Sequence, residues 1–258
     1  MNTHTSLVAP LVLPLIRLVE KAAERILQVY DNPVEIFTKT DGSPVTWADH
    51  QSHLILKEGL EALTPDIPVI SEEDKASWTL KSPLYWLIDP LDGTKGFISK
   101  NGEFCINIAL LQDDRPLFGL IHEPLTHESF YGYERKAWRT QGDQTIQIQT
   151  RIPPAQGLTL LAGSKGKKFQ EHVSAFLQNK MIAHITPLQS ALKFCYIARG
   201  DADYYVRFEE CCEWDTAAGQ ALVEAAGGSM TNLDGSAFLY GKPNLRNDAF
   251  IVSGSPER

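Results

Sequence analysis

The chain has 258 residues, a formal net charge of −8, and 43% hydrophobic against 22% charged residues. That balance describes a folded globular protein of one large domain or two lobes, and it excludes disordered, collagen-like and coiled-coil chains. A binder of nucleic-acid polymers carries a basic stripe, and here the nearest cluster is the short Lys165, Lys167 and Lys168; a small anionic ligand stays open, because bound metal ions reverse the local field of an acidic site.

The N-terminal apolar run, Leu7 to Ile16, is interrupted by Pro10 and Pro14 and followed closely by Arg17, Glu20 and Lys21. It is too short to span a bilayer and carries no cleavage signal. The chain is therefore read as cytoplasmic. Arg17, Lys21 and Arg25 offer only a thin basic face for peripheral membrane contact. Apolar residues at Leu15, Leu18, Val19, Ala22, Ala23, Ile26, Leu27 and Tyr30 recur in steps of three and four, which predicts a helix from Leu11 to Tyr30.

After the loop Lys39 to Val45, a second helix is expected to start at Thr46, with Asp49 placed to complete the cap. Leu54, Leu56, Leu60 and Leu63 would face a core. Short strands follow: Val69-Ile70, Tyr85 to Ile88, Phe104 to Leu111, Leu117 to Ile121 and Ser129 to Tyr133. Strands after two helices predict helices packed on one antiparallel sheet. Residues 151–157, with two prolines and a glycine, mark a lobe boundary, so 1–152 reads as an α+β lobe and 153–258 as an α/β lobe. In the second lobe the elements expected are a strand at Leu158 to Ala162, helices at Lys168 to Gln178 and Trp214 to Ala226, and a strand at Phe250 to Val252. The cysteines 105, 195, 211 and 212 form no CxxC pair and read as free thiols in a reducing compartment.

Three acidic clusters stand at the ends of predicted elements: Ser71-Glu-Glu-Asp74, Asp89-Pro-Leu-Asp-Gly-Thr94 and Trp214-Asp-Thr-Ala-Ala-Gly219. Each has a plain reading, respectively a solvated loop, a capped turn and a helix N-cap. In the second, Pro90 between two carboxylates forces a turn that lets Asp89, Asp92 and the Leu91 carbonyl point into one space. Hard oxygen ligands of that kind suit Mg²⁺. Gly93 permits close backbone approach, and Thr94 offers a hydroxyl and an N–H. Asp49 is either a cap for Thr46 or a group near an attacking water.

These motifs, in this order and over essentially the whole chain, resemble the signatures of the inositol monophosphatase superfamily of Mg²⁺-dependent, lithium-sensitive phosphatases. Within it, Asp41-Gly-Ser-Pro-Val-Thr46, Ser71 to Asp74, Asp92-Gly-Thr-Lys-Gly-Phe97, Asn101-Gly-Glu-Phe104 and Ser190-Ala-Leu-Lys-Phe-Cys195 are similar to the bacterial 3'(2'),5'-bisphosphate nucleotidases of sulfate assimilation. Lys95 discriminates against inositol monophosphatases. The resemblance implies an α/β fold, the layered αβαβα sandwich of the sugar phosphatases. It implies that Glu72, Asp89, Asp92, Asp215 and the Leu91 carbonyl hold two or three Mg²⁺ ions, with Asp89 bridging two. Thr94, oriented by Asp49 or Glu72, would help activate a water for in-line attack on the 3'-phosphate. The expected partner is a small nucleotide, met by Leu91, Asp92, Gly93, Thr94, Ser190, Lys193, Arg207 and Asp215. The chain would act as a monomer or homodimer. Lys165, where relatives often carry His, and Gly96, in place of a common Glu, depart from the pattern and bear on substrate recognition. An inositol or sugar phosphate phosphatase is the alternative enzyme, and a non-catalytic metal- or phosphate-binding protein is the alternative of another class.

Overall fold

The computed structural model describes residues 5–32, 36–38, 44–163, 173 and 180–254. Two short helical stretches, α1 (Thr5–Val8) and a 3-10 turn (Ala9–Leu11), lead into α2 (Val12–Tyr30). Leu15, Val19, Ala22, Ala23 and Ile26 form its buried stripe, so its main apolar face packs on the core, while Leu13 stays exposed. Among the described residues no helix is long and apolar enough to cross one.

A small hairpin of β1 (Ile36–Thr38) and β2 (Pro44–Thr46) precedes α3 (Trp47–Leu63). Thr46 caps α3, and the Asp49 side chain accepts from the Thr46 backbone, so the predicted capping box is present. The buried stripe of α3 runs Asp49, Ser52, His53, Leu56 and Leu60. Leu54 and Leu63 are exposed instead, which corrects the expected inward face: a step of two from Leu54 to Leu56 crosses to the other side of a helix.

The large sheet contains β3 (Val69–Ser71), β4 (Leu84–Asp92), β5 (Cys105–Gln112), β6 (Arg115–Glu123), β7 (Glu128–Tyr133), β8 (Lys136–Gln141) and β9 (Gln144–Ile148), in that order. All its pairs are antiparallel except β3–β4. Both faces are covered, which explains why β4 and β5 are near-continuous apolar runs rather than alternating ones. Trp86, Ile88, Ile106, Ile108 and Leu110 join α2 and α3 in one core. Their neighbours Leu87, Ala109, Leu111 and Ile121 point the other way into a second core.

The second core is shared with the rest of the chain. There the elements are β10 (Leu158–Ala162), β11 (Ile182–Pro187), α5 (Leu192–Ala198), β12 (Tyr204–Arg207), β13 (Cys211–Cys212), α6 (Ala217–Ala225), β14 (Ser229–Asn232), β15 (Arg246–Asn247) and β16 (Phe250–Ser253). Five of the strands form a mixed sheet in the order β11-β10-β12-β16-β14. Phe194, Ile197, Ala218 and Leu222 of the helices meet Tyr205, Phe250 and Val252 of that sheet in the same core. Helices, sheet, helices and sheet are thus stacked as a layered α/β sandwich. The helix expected over Lys168 to Gln178 lies, apart from Val173, outside the described residues, as do Asp41, Gly42, Ser43, Ser164 and Lys165. The predicted helix from Trp214 starts instead as a 3-10 turn over Glu213–Asp215 and becomes α-helical only at Ala217.

Two glycines seat α6 on the large sheet. A Cβ built on Gly119 would stand 2.1 Å from the Ala218 carbonyl oxygen, and one on Gly132 would stand 2.9 Å from Leu222 Cα. Bare backbone therefore lets the helix lie directly on β6 and β7. Gly119→Ala forces backbone apart, and overpacking of that kind costs about 1–3 kcal/mol or more. The expected result is a melting temperature lower by about 5 °C in thermal denaturation; an unchanged melting temperature would refute the tight seat.

Candidate functional site

The acidic residues converge at one end of β4. Strand residues three apart face opposite sides of a sheet, so a regular β4 would separate Asp89 from Asp92. The ladder is instead irregular between them: Asp89 pairs with Asn107 and Asp92 pairs with Cys105, with Pro90 and Leu91 unmatched. Pro90 has no N–H for the ladder and the strand bulges, which re-aims the second carboxylate. The expected turn after the strand is thus a bulge within it. The Asp89 Oδ1 accepts from the Leu91 N–H at 3.0 Å, and Ser52 of α3 donates to the Pro90 carbonyl at 2.7 Å, fixing the bulge from both sides.

Asp215 arrives from the other half of the chain at the foot of α6. One oxygen each of Asp89, Asp92 and Asp215 lie within 4.8 Å of one another. Glu72, directly after β3, lines the same cleft, as do Leu91, Gly93, Thr94, Ser190, Lys193 and Arg207. The cleft is about 320 Å³, a size that suits a small ligand. Asp49 is not in its wall: it is buried behind Thr94, with Oδ2 taken by the Thr46 backbone N–H and hydroxyl at 2.7 Å each and Oδ1 3.3 Å from the Thr94 hydroxyl. The cap reading of Asp49 is thus present, and the same carboxylate reaches Thr94. Gly93 sits at φ 89° and opens the short helix α4 (Thr94–Ile98). A side chain there would strike the Glu103 carbonyl at 2.4 Å, so only glycine allows the loop to close over the bulge.

The basic residues are held by the protein itself. Lys193 is buried, with its Nζ donating to the carbonyls of Leu188 at 3.1 Å and Ser190 at 2.5 Å. Arg207 donates to the Glu209 and Glu210 carbonyls at 3.2 Å each. Ser190 adopts φ 55° beside Gly93.

Several contributors escape a reading of motifs alone. Asp92 accepts from the Ala191 N–H, from Asn107 Nδ2 at 3.5 Å and from the Cys105 thiol at 3.7 Å. Glu103 accepts from the Gln189 N–H at 2.9 Å. Two carboxylates of the first half thus clasp the residues on either side of Ser190. Asn107 left a signal, as the one polar residue in the apolar run Phe104 to Leu111; the Ala191 N–H, a backbone group, left none.

The electrostatics ask for a cation. Burial first, then the charges of Glu72, Asp92 and Asp215, push the Asp89 carboxyl well above its usual range. Burial raises Asp92 as well, against the opposing pull of Lys193. Burial followed by Asp92 and Glu72 brings Asp215 up to about 7. Like charges packed this way retain protons unless a positive ion replaces them. Hard carboxylate oxygens within a few ångströms of one another fit a divalent metal of the Mg²⁺ class.

The sequence model of the inositol monophosphatase family matches residues 8–254. The chain belongs to the inositol monophosphatase family. It is 41% identical to the 3'(2'),5'-bisphosphate nucleotidase CysQ of Salmonella typhimurium over 92% of this chain and 97% of that protein. It is 39% identical to the CysQ of Escherichia coli K12 with the same coverage. Among solved structures, CysQ from Bacteroides thetaiotaomicron, a bacterial member of the family, superposes with a TM-score of 0.80 at 31% identity, covering 95% of this chain and 97% of that one. A Thermotoga maritima IMPase superposes at a TM-score of 0.76 with 24% identity, covering 93% and 90%, and speaks for the fold alone.

The charge cluster makes a prediction about the metal-free protein. Folded, Asp215 keeps its proton to about pH 7; unfolded, it releases it near 3.9. Its contribution to stability is therefore full below about pH 4 and lost as pH rises through about 7. Asp215→Asn, neutral at every pH, should melt within about 2 °C of the parent at pH 5 and about 5 °C above it at pH 8 without metal. Differential scanning calorimetry checks this, and a gap independent of pH would contradict the raised carboxyl.

Proposed function

We propose that this protein is a Mg²⁺-dependent 3'(2'),5'-bisphosphate nucleotidase that hydrolyses adenosine 3',5'-bisphosphate to AMP and phosphate, with 3'-phosphoadenylyl sulfate as a second substrate. The observation that carries the reading is the polarity of one cleft. Asp89, Asp92 and Asp215 gather on one side, and Lys193 and Arg207 line the same space. An acidic floor takes the ions that a phosphoryl group needs, and cationic walls take a second phosphate. A ligand with two phosphates matches both, and relatives named for a bisphosphate substrate support the choice.

Glu72, Asp89, Asp92, Asp215 and the Leu91 carbonyl would hold the metal, as two or three ions. When bound, Mg²⁺ supplies Lewis acidity that offsets phosphate charge and acidifies water. The chain's own groups supply position. The Thr94 hydroxyl has two acceptors at 3.3 Å, Asp49 Oδ1 and the Leu91 carbonyl. With its proton directed there, its oxygen lone pairs are left to accept from the attacking water and aim it. Glu72, beside Asp89, is placed to take the proton that this water releases. Water oxygen bonds to phosphorus as the bond to the ribose 3'-oxygen breaks on the opposite side, and that oxygen takes a proton from a solvent water in the open cleft and leaves as a hydroxyl, while Glu72 later returns its proton to solvent. No covalent enzyme intermediate is needed. Gly93 and Thr94, at the start of α4, line the cleft, and their N–H groups would hold oxygens of the departing phosphate. Lys193 and Ser190 line the same cleft, and Arg207 would meet the 5'-phosphate.

Phosphate release should be strong from adenosine 3',5'-bisphosphate with Mg²⁺, negligible without it, and weak from inositol 1-phosphate. Thr94→Val removes the hydroxyl while keeping its shape, and should lower kcat about a hundredfold with the melting temperature unchanged. Faster release from the inositol ester would move the substrate assignment to the sugar phosphates, and an unaffected Thr94→Val would remove Thr94 from the water's path.

A further inference from the structure

Gly96 and the Asn101-Gly-Glu-Phe104 segment meet beside the Gly93 turn. Asn101 donates its N–H to the Gly96 carbonyl at 3.1 Å, and its Oδ1 accepts from the Glu103 N–H at 2.9 Å. The segment thereby folds back over α4. A Cβ on Gly96 would stand 2.7 Å from Asn101 Oδ1 and 2.8 Å from the Glu103 carbonyl oxygen. Contacts that short push a segment away, so the fold-back needs a bare residue at 96. The next residue, Phe104, is buried and packs edge-on against Phe97 with centroids 5.2 Å apart. The Glu103 backbone is thus fixed on the first half of the chain, and its carboxylate reaches the second.

Glu103 Oε2 accepts from the Gln189 N–H at 2.9 Å. Gln189 and Ser190 line the acidic cleft, and Glu103 is not among the lining residues. Ser190 sits at φ 55°, a left-handed conformation that is unfavourable for a residue with a side chain. Such a conformation persists only where its surroundings over-determine it. Here Glu103 takes the N–H before Ser190 and Asp92 the N–H after it. The Lys193 ammonium takes the carbonyls of Leu188 and Ser190. A Cβ on Gly93 would stand 3.1 Å from Ser190 Cβ, so the turn and this wall are packed closely together. A small release of Ser190 therefore alters the space left for a ligand.

We propose that Glu103 is a positioning residue for substrate recognition. It touches neither ester nor metal; it fixes the Gln189–Ser190 wall against the Gly93 turn, and Gly96 is the residue that lets it reach. The role rests on the reading of the cleft as a phosphatase site, and it holds whichever ester is cleaved. The groups assigned to the metal and the water stay in place without it. Loss of the tie therefore weakens the grip on the ester and spares the chemical step.

Glu103→Ala, Glu103→Gln and Gly96→Ala are compared with the parent on adenosine 3',5'-bisphosphate and inositol 1-phosphate at saturating Mg²⁺. The variants are judged on the ester that the parent turns over faster. Glu103→Ala should raise KM about three- to tenfold, the value of one hydrogen bond, with kcat within about twofold. Glu103→Gln keeps an acceptor oxygen and should stay within about twofold of the parent in both. Gly96→Ala should raise KM to a similar extent, and the double variant with Glu103→Ala should be no worse than the worse single, because both act through one contact. Hydrogen exchange at the Gln189 amide, followed by NMR, reads the tie without turnover. It should quicken at least about tenfold in Glu103→Ala and stay slow in Glu103→Gln. Unchanged exchange in Glu103→Ala would overturn the tie. Faster exchange with an unchanged KM, or a loss confined to kcat, would overturn the role in recognition. Faster turnover of the inositol ester would move the substrate assignment alone and leave the comparison of variants standing.

Discussion

Three carboxyl groups with oxygens within 4.8 Å of one another are the constraint around which the protein is arranged. Left to themselves such groups repel, and burial raises the cost of each charge. A fold can hold them together only if their backbones are fixed by more than the carboxylates' own hydrogen bonds. Here the fixing is done by the two large cores, by the β4 bulge and by the seat of α6. The site is thus strained electrostatically within a rigid frame, and relief comes from a cation rather than from movement.

Each segment that carries an acidic group of the cleft is anchored on a different element. The bulge holds Asp89 and Asp92, pinned by Ser52 from α3. Gly119 and Gly132 bring α6 onto the sheet, and Asp215 sits just before that helix. Glu72 follows β3, whose end is tied down by His53 through the Ser71 hydroxyl at 2.8 Å. The polar half of the α3 stripe, Asp49, Ser52 and His53, is the half that faces this region, while Leu56 and Leu60 continue into the apolar core. One helix thereby serves stability at one end and the site at the other. The Asp92 contact with the Ala191 N–H and the Glu103 contact with Gln189 join the two halves of the chain across the cleft. The geometry of the site therefore depends on both halves folding together, and the second core, shared between them, makes that a single event.

Much of this was legible in the sequence where the signal is local. The caps, the amphipathic stripe of α2 and the three acidic motifs depend on neighbours in the chain, and the order of the motifs was enough to give the family. What was not legible is set by tertiary contact. Leu192–Ala198 reads as readily as a buried strand, because a short apolar run has no distinguishing period. Strands β8 and β9 carry polar residues such as Lys136, Arg139, Gln141 and Gln144 and lack clean alternation near the sheet's edge. Pro90 was read as a turn-former, whereas pairing of Asp92 with Cys105 shows the strand resuming beyond it. The clasp by Ala191 is a backbone N–H, and no side-chain pattern announces it.

The most direct test of the charge constraint is the number of protons released when Mg²⁺ binds. Isothermal titration calorimetry of the full chain at pH 6.5, repeated in buffers of different ionisation enthalpy, measures it without substrate or turnover. With Asp215 brought up to about 7 and Asp89 higher than its usual range, Mg²⁺ must displace protons to reach the oxygens, so about one proton or more should appear in solution per protein. Binding of Mg²⁺ with no proton release would mean that the carboxylates are already ionised in the metal-free fold, and the account of a frame holding repelling, protonated acids would be wrong.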